Sequence, residues 1–353
     1  MKTVNLVGMT FSEIEAAMAE LGEPKYRARQ IYAGVYRWLW RDWDQFTNIG
    51  KVLREKLRAR YSIKYPELNQ TFVSRDGTRR YLFDVGEGLC IEAVFIPEEK
   101  RDTLCISTQV GCAMGCIFCA TGRLPMQRNL SAGEIAGQIL SLEADRGVQA
   151  KRLNIVIMGM GEPFNNYENV MSALRLMTCG EGMSISPRRI TLSTAGIVPG
   201  IDRMAAEPVQ PNLAISLNAA TDAVRSRLMP VNRKWNIDAL LAACRRFPLV
   251  KRRRITFEYV LIDGINDSIG EARRLVQLLG NLRHKVNLIP LNADAALEFK
   301  PPSPERVEAF ARVLADHYVT VNIRRPRGED IAAACGMLAG AGVPPASRLT
   351  EAV

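Results

Sequence analysis

From about residue 100 onward, short apolar runs alternate with longer stretches whose apolar positions recur every three or four residues. The runs are "TLCISTQ", "NIVIMGMG", "RITLSTAG", "LAISLN", "ITFEYVLID" and "VNLIPLN", with a seventh, "VTVNIRR", near the C-terminus. Runs of this kind fit strands buried on both faces, and the periodic stretches fit amphipathic helices. Three of those helices open on a serine: Ser131 with Glu134, Ser268 with Glu271, and Ser303 with Pro304 in the first turn. Six strand–helix units in succession predict an α/β fold, a parallel sheet curled into a partial (β/α)6 barrel over residues 101–340.

Residues 1–65 break this rhythm. "TFSEIEAAMAELG" predicts a short helix with a capping box from Thr10 to Glu13 and a stop at Gly22. "YRARQIYAGVYRWLWRDW" then interleaves arginine with aromatics, and "KVLREKLRARY" adds more basic residues. "TFVSRDGTRRYLFDVGEGLCIEAVFIP" reads as strands about an Asp-Gly turn at 76–77. The expected organisation is a basic helical accessory domain (1–65), a small β linker segment (66–100), the barrel, and a C-terminal tail (341–353).

Hydrophobic residues make up 47% and charged residues 24%, an ordinary globular balance. No apolar run is long enough to span a membrane and the N-terminus lacks a signal-peptide core, so a cytoplasmic protein with no membrane partner is expected. The net charge of +10 favours a polyanionic partner. With only His284 and His317 present, histidine-centred catalysis is disfavoured. Eight cysteines in such a chain point to metal binding or reactive thiols rather than structural disulfides.

In parallel α/β folds the chemistry sits at the carboxyl ends of the strands. Each predicted strand end here carries a polar group: the "GCAMGCIFCATG" loop, Gly161 and Glu162 in "GMGEP", Ser193 in "LSTAG", Ser216, Leu217 and Asn218 in "SLN", Asp263, and Asn292. Singly, each reads as a turn or cap residue. Together on one rim they predict a single large cofactor site.

Cys112, Cys116 and Cys119 have the spacing C-x3-C-x2-C. Structural zinc takes four protein ligands, and no second Cys-x2-Cys pair is present. An iron–sulfur cubane normally takes four thiolates, so three leave one iron open. The spacing resembles that of the radical S-adenosylmethionine superfamily; a zinc knuckle or a chance cluster is the alternative. The resemblance implies a [4Fe-4S] cluster whose open iron is chelated by S-adenosylmethionine. Glu162 would hold the methionine amino group, Ser193, Ser216 and Asn292 would reach its ribose or carboxylate, and Phe118 would shield the cluster.

"RDTLCISTQVGCAMGCIFCATG", "RNLSAGEI", "RRITLSTAGIVPGID", "LAISLNAATDAVRSRLMPVNRK" and "RGEDIAAACGMLAG" resemble the RlmN/Cfr family of radical-SAM RNA methyltransferases, over nearly the whole chain. Two cysteines outside the cluster motif, Cys105 and Cys335, carry the resemblance furthest. It implies methylation of an adenine carbon that has no nucleophilic lone pair, with two S-adenosylmethionine molecules per turnover. Cys335 would take a methyl, and a radical formed on that methyl would join protein to RNA. Cys105 would then attack the Cys335 sulfur and release the methylated base, which is ordinary thiol exchange. Glu92 would remove the ring proton; alone it reads as a solvated strand residue. The resemblance further implies 23S ribosomal RNA as substrate, with tRNA beside the anticodon as a second target, and an electron donor such as flavodoxin or ferredoxin. C8 methylation of the Cfr kind and radical chemistry on a non-RNA substrate are the alternatives. The chain departs from the family's usual residues at Asn218, often histidine, at "PLNA" (often "PWNP"), and at Pro125.

Overall fold

The computed structural model describes residues 3–99, 101–148, 153–250, 252–292 and 298–339. Ala293 of "PLNA" and the expected tail lie outside them. The chain begins with β1 (Val4–Asn5), α1 (Phe11–Glu20), α2 (Lys25–Tyr36), α3 (Lys51–Arg60) and β2 (Tyr61–Ser62), which pairs in parallel with β1. Three strands follow: β3 (Glu67–Val73), β4 (Arg79–Asp84) and β5 (Cys90–Ile96). Next come β6 (Thr103–Cys105) and, flanking the cysteine loop, the antiparallel pair β7 (Gln109–Val110) and β8 (Arg128–Asn129).

The barrel continues through α4 (Ala132–Arg146), β9 (Asn154–Ile157), α5 (Tyr167–Thr178), β10 (Ile190–Thr194), α6 (Val198–Ala205) and β11 (Asn212–Ser216). It ends with α7 (Asp222–Leu228), α8 (Ile237–Arg246), β12 (Ile255–Leu261), α9 (Ile269–Leu279), β13 (His284–Pro290), α10 (Pro304–Asp316) and β14 (Val321–Ile323). One open ten-stranded sheet runs in the order β14–β13–β12–β11–β10–β9–β6–β5–β4–β3. β6 and β9 to β14 are mutually parallel, as the strand–helix rhythm requires.

β3, β4 and β5 join antiparallel on the free edge of β6. The segment 66–100 is therefore hydrogen-bonded into the barrel's own sheet. One row of side chains crosses five strands, from Phe72 through Arg80, Val94 and Cys105 to Val156. Residues from both ends of the sheet, Val94 near one edge and Arg324 just past the other, line one cavity. The sheet is thus curled into a partial barrel around it.

The helix starts are set as expected: Thr10 with Glu13 and Ser131 with Glu134 form reciprocal capping boxes, and Ser268 and Ser303 each accept a backbone N–H. The arginine–aromatic stretch divides. Tyr32, Tyr36, Trp43 and Phe46 are buried, and the Tyr36 hydroxyl donates to the carbonyls of Leu6 (3.0 Å) and Met9 (2.9 Å). Most of its aromatic rings therefore build the packing unit, leaving Tyr26 and Trp38 as its exposed large rings. A Cβ at Gly182 would stand 2.7 Å from the Tyr32 ring, so the helical region lies close against the barrel there.

Candidate active site

The loop bearing three cysteines leaves β7 through Gly111, whose φ is +80° and whose added Cβ would meet the Pro125 carbonyl oxygen at 2.2 Å. Only glycine fits this turn. Cys112, Cys116 and Cys119 are free thiols that line a cavity at the carboxyl ends of the strands. Burial pushes the Cys112 thiol up to about 11, and burial with the neighbouring Cys119 and Cys112 charges raises Cys116. Among the described residues no three such groups converge on a single-ion point. A cubane presents separate iron corners, so its thiolates do not need to converge.

The same cavity is lined by Gly161, Glu162, Ser193, Ser216, Asn218 and Asn292. Glu162 is buried, and its carboxylate accepts from the Phe164 N–H (3.1 Å), the Thr194 hydroxyl (2.8 Å) and the Ala195 N–H (2.7 Å). Burial raises its pKa against those backbone donors. Gly161, at φ +102°, lies so near Gln109 that a Cβ would stand 2.6 Å from its Cβ. The Ser193 and Ser216 hydroxyls are 3.5 Å apart.

Asn218 sits in the left-handed region at φ +58°, which asparagine tolerates better than most residues. Its Oδ1 accepts from the Val260 N–H (2.9 Å), closing the loop after β11. Leu217 lies in the core between these cavity residues and does not line the cavity. Asn292 donates to the Cys335 carbonyl (2.8 Å), while its buried Oδ1 has no donor among the described residues. Three free thiols and an orphaned buried acceptor around one cavity fit a thiolate-held cluster with a donor-bearing ligand beside it.

Cys335 is brought here by three backbone anchors. Besides Asn292, the Ala120 N–H donates to the Gly336 carbonyl (2.7 Å) and the Thr121 hydroxyl to the Leu338 carbonyl (2.6 Å). The C-terminal segment is thus pinned onto the cluster loop. Cys335 is exposed as a residue, and it lines both the first cavity and a second. The protein crowding its sulfur raises the thiol's pKa, with the Arg324 guanidinium opposing and Glu258 adding to the rise. Cys105 lines the second cavity only. Burial pushes its thiol up to about 12, with the Cys335 charge adding to the rise.

Glu92 is fully buried on β5 and lines neither cavity. Its Oε1 takes a 2.6 Å ion pair from Arg80, which lies over the Phe72 ring at 4.2 Å. It stands two residues from Val94, on the face that carries Cys105, so it backs the second cavity from within the sheet.

Three charged residues at this site carried no sequence signal. Arg225 is fully buried and donates to the carbonyls of Ala195 (2.6 Å), Ser216 (3.1 Å) and Leu217 (3.0 Å) and to the Asn232 side chain (2.8 Å). It fixes the ends of β10 and β11. Glu258 and Arg324 line the cavity itself. In sequence Glu258 is one polar break in the run "ITFEYVLID", and Arg324 is one arginine of the basic stretch "RRPRG", expected to meet RNA rather than this cavity.

The description "Radical SAM superfamily" matches residues 106–276, and "Ribosomal RNA large subunit methyltransferase N-terminal domain" matches residues 4–63. The chain is 45% identical over 336 residues to the dual-specificity RNA methyltransferase RlmN of Pelobacter propionicus, covering 95% of this chain and 96% of the relative. It is 47% identical to the protein of the same name from Geobacter sulfurreducens, over 96% of this chain and 92% of the relative. A crystal structure of a radical SAM methyltransferase from Sphaerobacter thermophilus superposes with a TM-score of 0.90 at 45% identity, over 96% of this chain and 100% of that one.

Proposed function

We propose that this chain, which belongs to the RlmN family of radical S-adenosylmethionine RNA methyltransferases, methylates carbon 2 of an adenosine in 23S ribosomal RNA through a methyl-cysteine at Cys335. The observation that carries this reading is the position of Cys335 on the wall shared by two cavities. One holds the three motif cysteines and the polar rim. The other holds Cys105, and Cys119 and Asn292 stand with Cys335 on the shared wall.

Cys112, Cys116 and Cys119 hold the iron–sulfur cluster, and Glu162, Ser193, Ser216 and Asn292 bind S-adenosylmethionine beside it. Bound there, cluster and cofactor supply the methyl group and the one-electron chemistry that activates it. Cys335 carries the methyl toward the second cavity, where the adenine enters out of its stack. Arg325 and Arg327 line that cavity and bring positive charge to its wall, suited to the flanking phosphates. Glu92, which backs this cavity and is oriented by Arg80, is the base for the ring proton, and it must come within hydrogen-bond reach of the adenine when RNA binds. Cys105 would then attack the Cys335 sulfur: the S–S bond forms, the bond from sulfur to the base-bound methylene breaks, the methylene takes a proton to become the new methyl, the one unpaired electron of the adduct passes out to the bound redox group, and external reductant restores the two thiols. Each turnover uses two S-adenosylmethionine molecules and an external electron donor such as flavodoxin or ferredoxin. The adenosine beside the tRNA anticodon is a second substrate.

The test is nucleoside mass spectrometry after anaerobic turnover of the reconstituted enzyme on unmodified 23S RNA and on tRNA. The expected product from both is 2-methyladenosine. Finding 8-methyladenosine instead would overturn the C2 assignment, and finding no methylated adenosine beside free 5′-deoxyadenosine would overturn the RNA substrate.

A further inference from the structure

Glu258 lies on β12 directly opposite Ser216 of β11 on one side and Asn287 of β13 on the other. Asn287 in turn lies opposite Asn322 of β14. Residues opposed in neighbouring strands project to the same face, so these four form a polar row across the barrel wall. Its members are linked: Asn322 Nδ2 donates to Asn287 Oδ1 (3.2 Å), and Asn287 Nδ2 donates to Glu258 Oε1 (2.9 Å). Ser216 and Glu258 both line the cavity beside the motif cysteines.

The carboxylate is therefore held by one oxygen. The other, Oε2, is buried and has no donor among the described residues, in a residue only 5% exposed. A buried acceptor left without a donor is costly, and it is retained where a ligand supplies the donor.

S-adenosylmethionine offers three kinds of donor: its ammonium, its adenine amine and its ribose hydroxyls. The Arg324 guanidinium shares the cavity wall and acts on Glu258, which disfavours a second cation there. The partner on the other side is the Ser216 hydroxyl, 3.5 Å from that of Ser193. A vicinal diol suits a carboxylate beside a serine, because each of its hydroxyls can both donate and accept. The adenine amine only donates. We propose that Glu258 binds the ribose diol of the cofactor, accepting hydrogen bonds from its 2′- and 3′-hydroxyls, with Ser216 completing the contact. This rests on the reading of the cavity as the S-adenosylmethionine site.

The test is calorimetric binding of S-adenosylhomocysteine to the anaerobically reconstituted holoenzyme. It is repeated with the 2′,3′-dideoxy analogue and with the analogue lacking the 6-amino group. Glu258→Gln keeps the shape of the side chain and removes its charge. It should weaken binding of S-adenosylhomocysteine and of the deaminated analogue by about ten- to a hundredfold, and leave the dideoxy analogue unchanged. Glu258→Asp, which withdraws the carboxylate by one methylene, should follow the same pattern if the glutamine variant does not fold. A penalty equal for all three ligands would mean a structural role and overturn the proposal. So would one that vanishes only with the deaminated analogue. If the wild-type holoenzyme binds none of the three, the cofactor-site reading itself fails, a result distinct from either pattern.

Discussion

Cys105 and Cys335 line one cavity together with Cys119, and of the two only Cys335 also lines the cavity that holds all three motif cysteines. With its thiol pushed up to about 12 by burial, Cys105 is protonated near neutral pH, and its reactive thiolate grows with pH. Release of methylated RNA should therefore accelerate by about tenfold per pH unit from about pH 7 to 9 in single-turnover assays. A flat profile would mean that Cys105 is not the attacking thiol. The buried pair of Arg80 and Glu92 gives a second expectation. Arg80→Met should lower stability by about 3–5 kcal/mol in urea unfolding, because removing one member of a buried pair strands the other charge. The double change Arg80→Met with Glu92→Gln should recover most of that loss without restoring methylation. The sequence exposed the motif cysteines because they fall in one loop, and Cys105 and Cys335 because they carry a family pattern. Arg80 and Glu258 were hidden, since their neighbours come from other strands and only the register of the sheet brings them together.

At the scale of elements, the β3–β4 hairpin does more than extend the sheet. Asp76 at its tip accepts from the Gly328 N–H (3.1 Å), and Ser74 donates to Asp330 (2.6 Å). The hairpin thus clamps the start of the segment that presents Cys335. Partial burial raises the Asp76 pKa, but hydrogen bonds from Thr78 and the Gly328 N–H outweigh it and hold the carboxyl down at about 2. A depressed carboxyl stabilises the fold above its unfolded pKa of about 3.9, and that contribution is lost as pH falls toward 2. Protection from hydrogen exchange along 326–336, measured relative to the intrinsic rate at each pH, should therefore fall over that window, and Asp76→Asn should produce the same loosening at neutral pH. Unchanged exchange in the variant would contradict the clamp. The parallel strands were legible as apolar runs and the helix starts as serine caps. The hairpin's attachment was not, because antiparallel pairing onto the free edge of β6 leaves no local pattern.

For the whole molecule, charge and packing act on different parts of the N-terminal region. Its buried rings join the core, while Arg29, Arg37 and Trp38 stay exposed. With a net charge of +10, RNA affinity should fall by about tenfold or more between roughly 50 and 200 mM salt in filter binding, as phosphate contacts release counterions. A salt-independent affinity would contradict an electrostatic RNA surface. In the proposed cycle Cys335 joins protein to RNA and Cys105 separates them. It is tested most directly by peptide mass spectrometry of Cys105→Ala after anaerobic turnover with RNA, nuclease and protease. The expected result is a peptide carrying adenosine linked through one carbon to Cys335. A wild-type enzyme that methylates RNA while this variant yields no adduct, or one on another residue, would contradict the account.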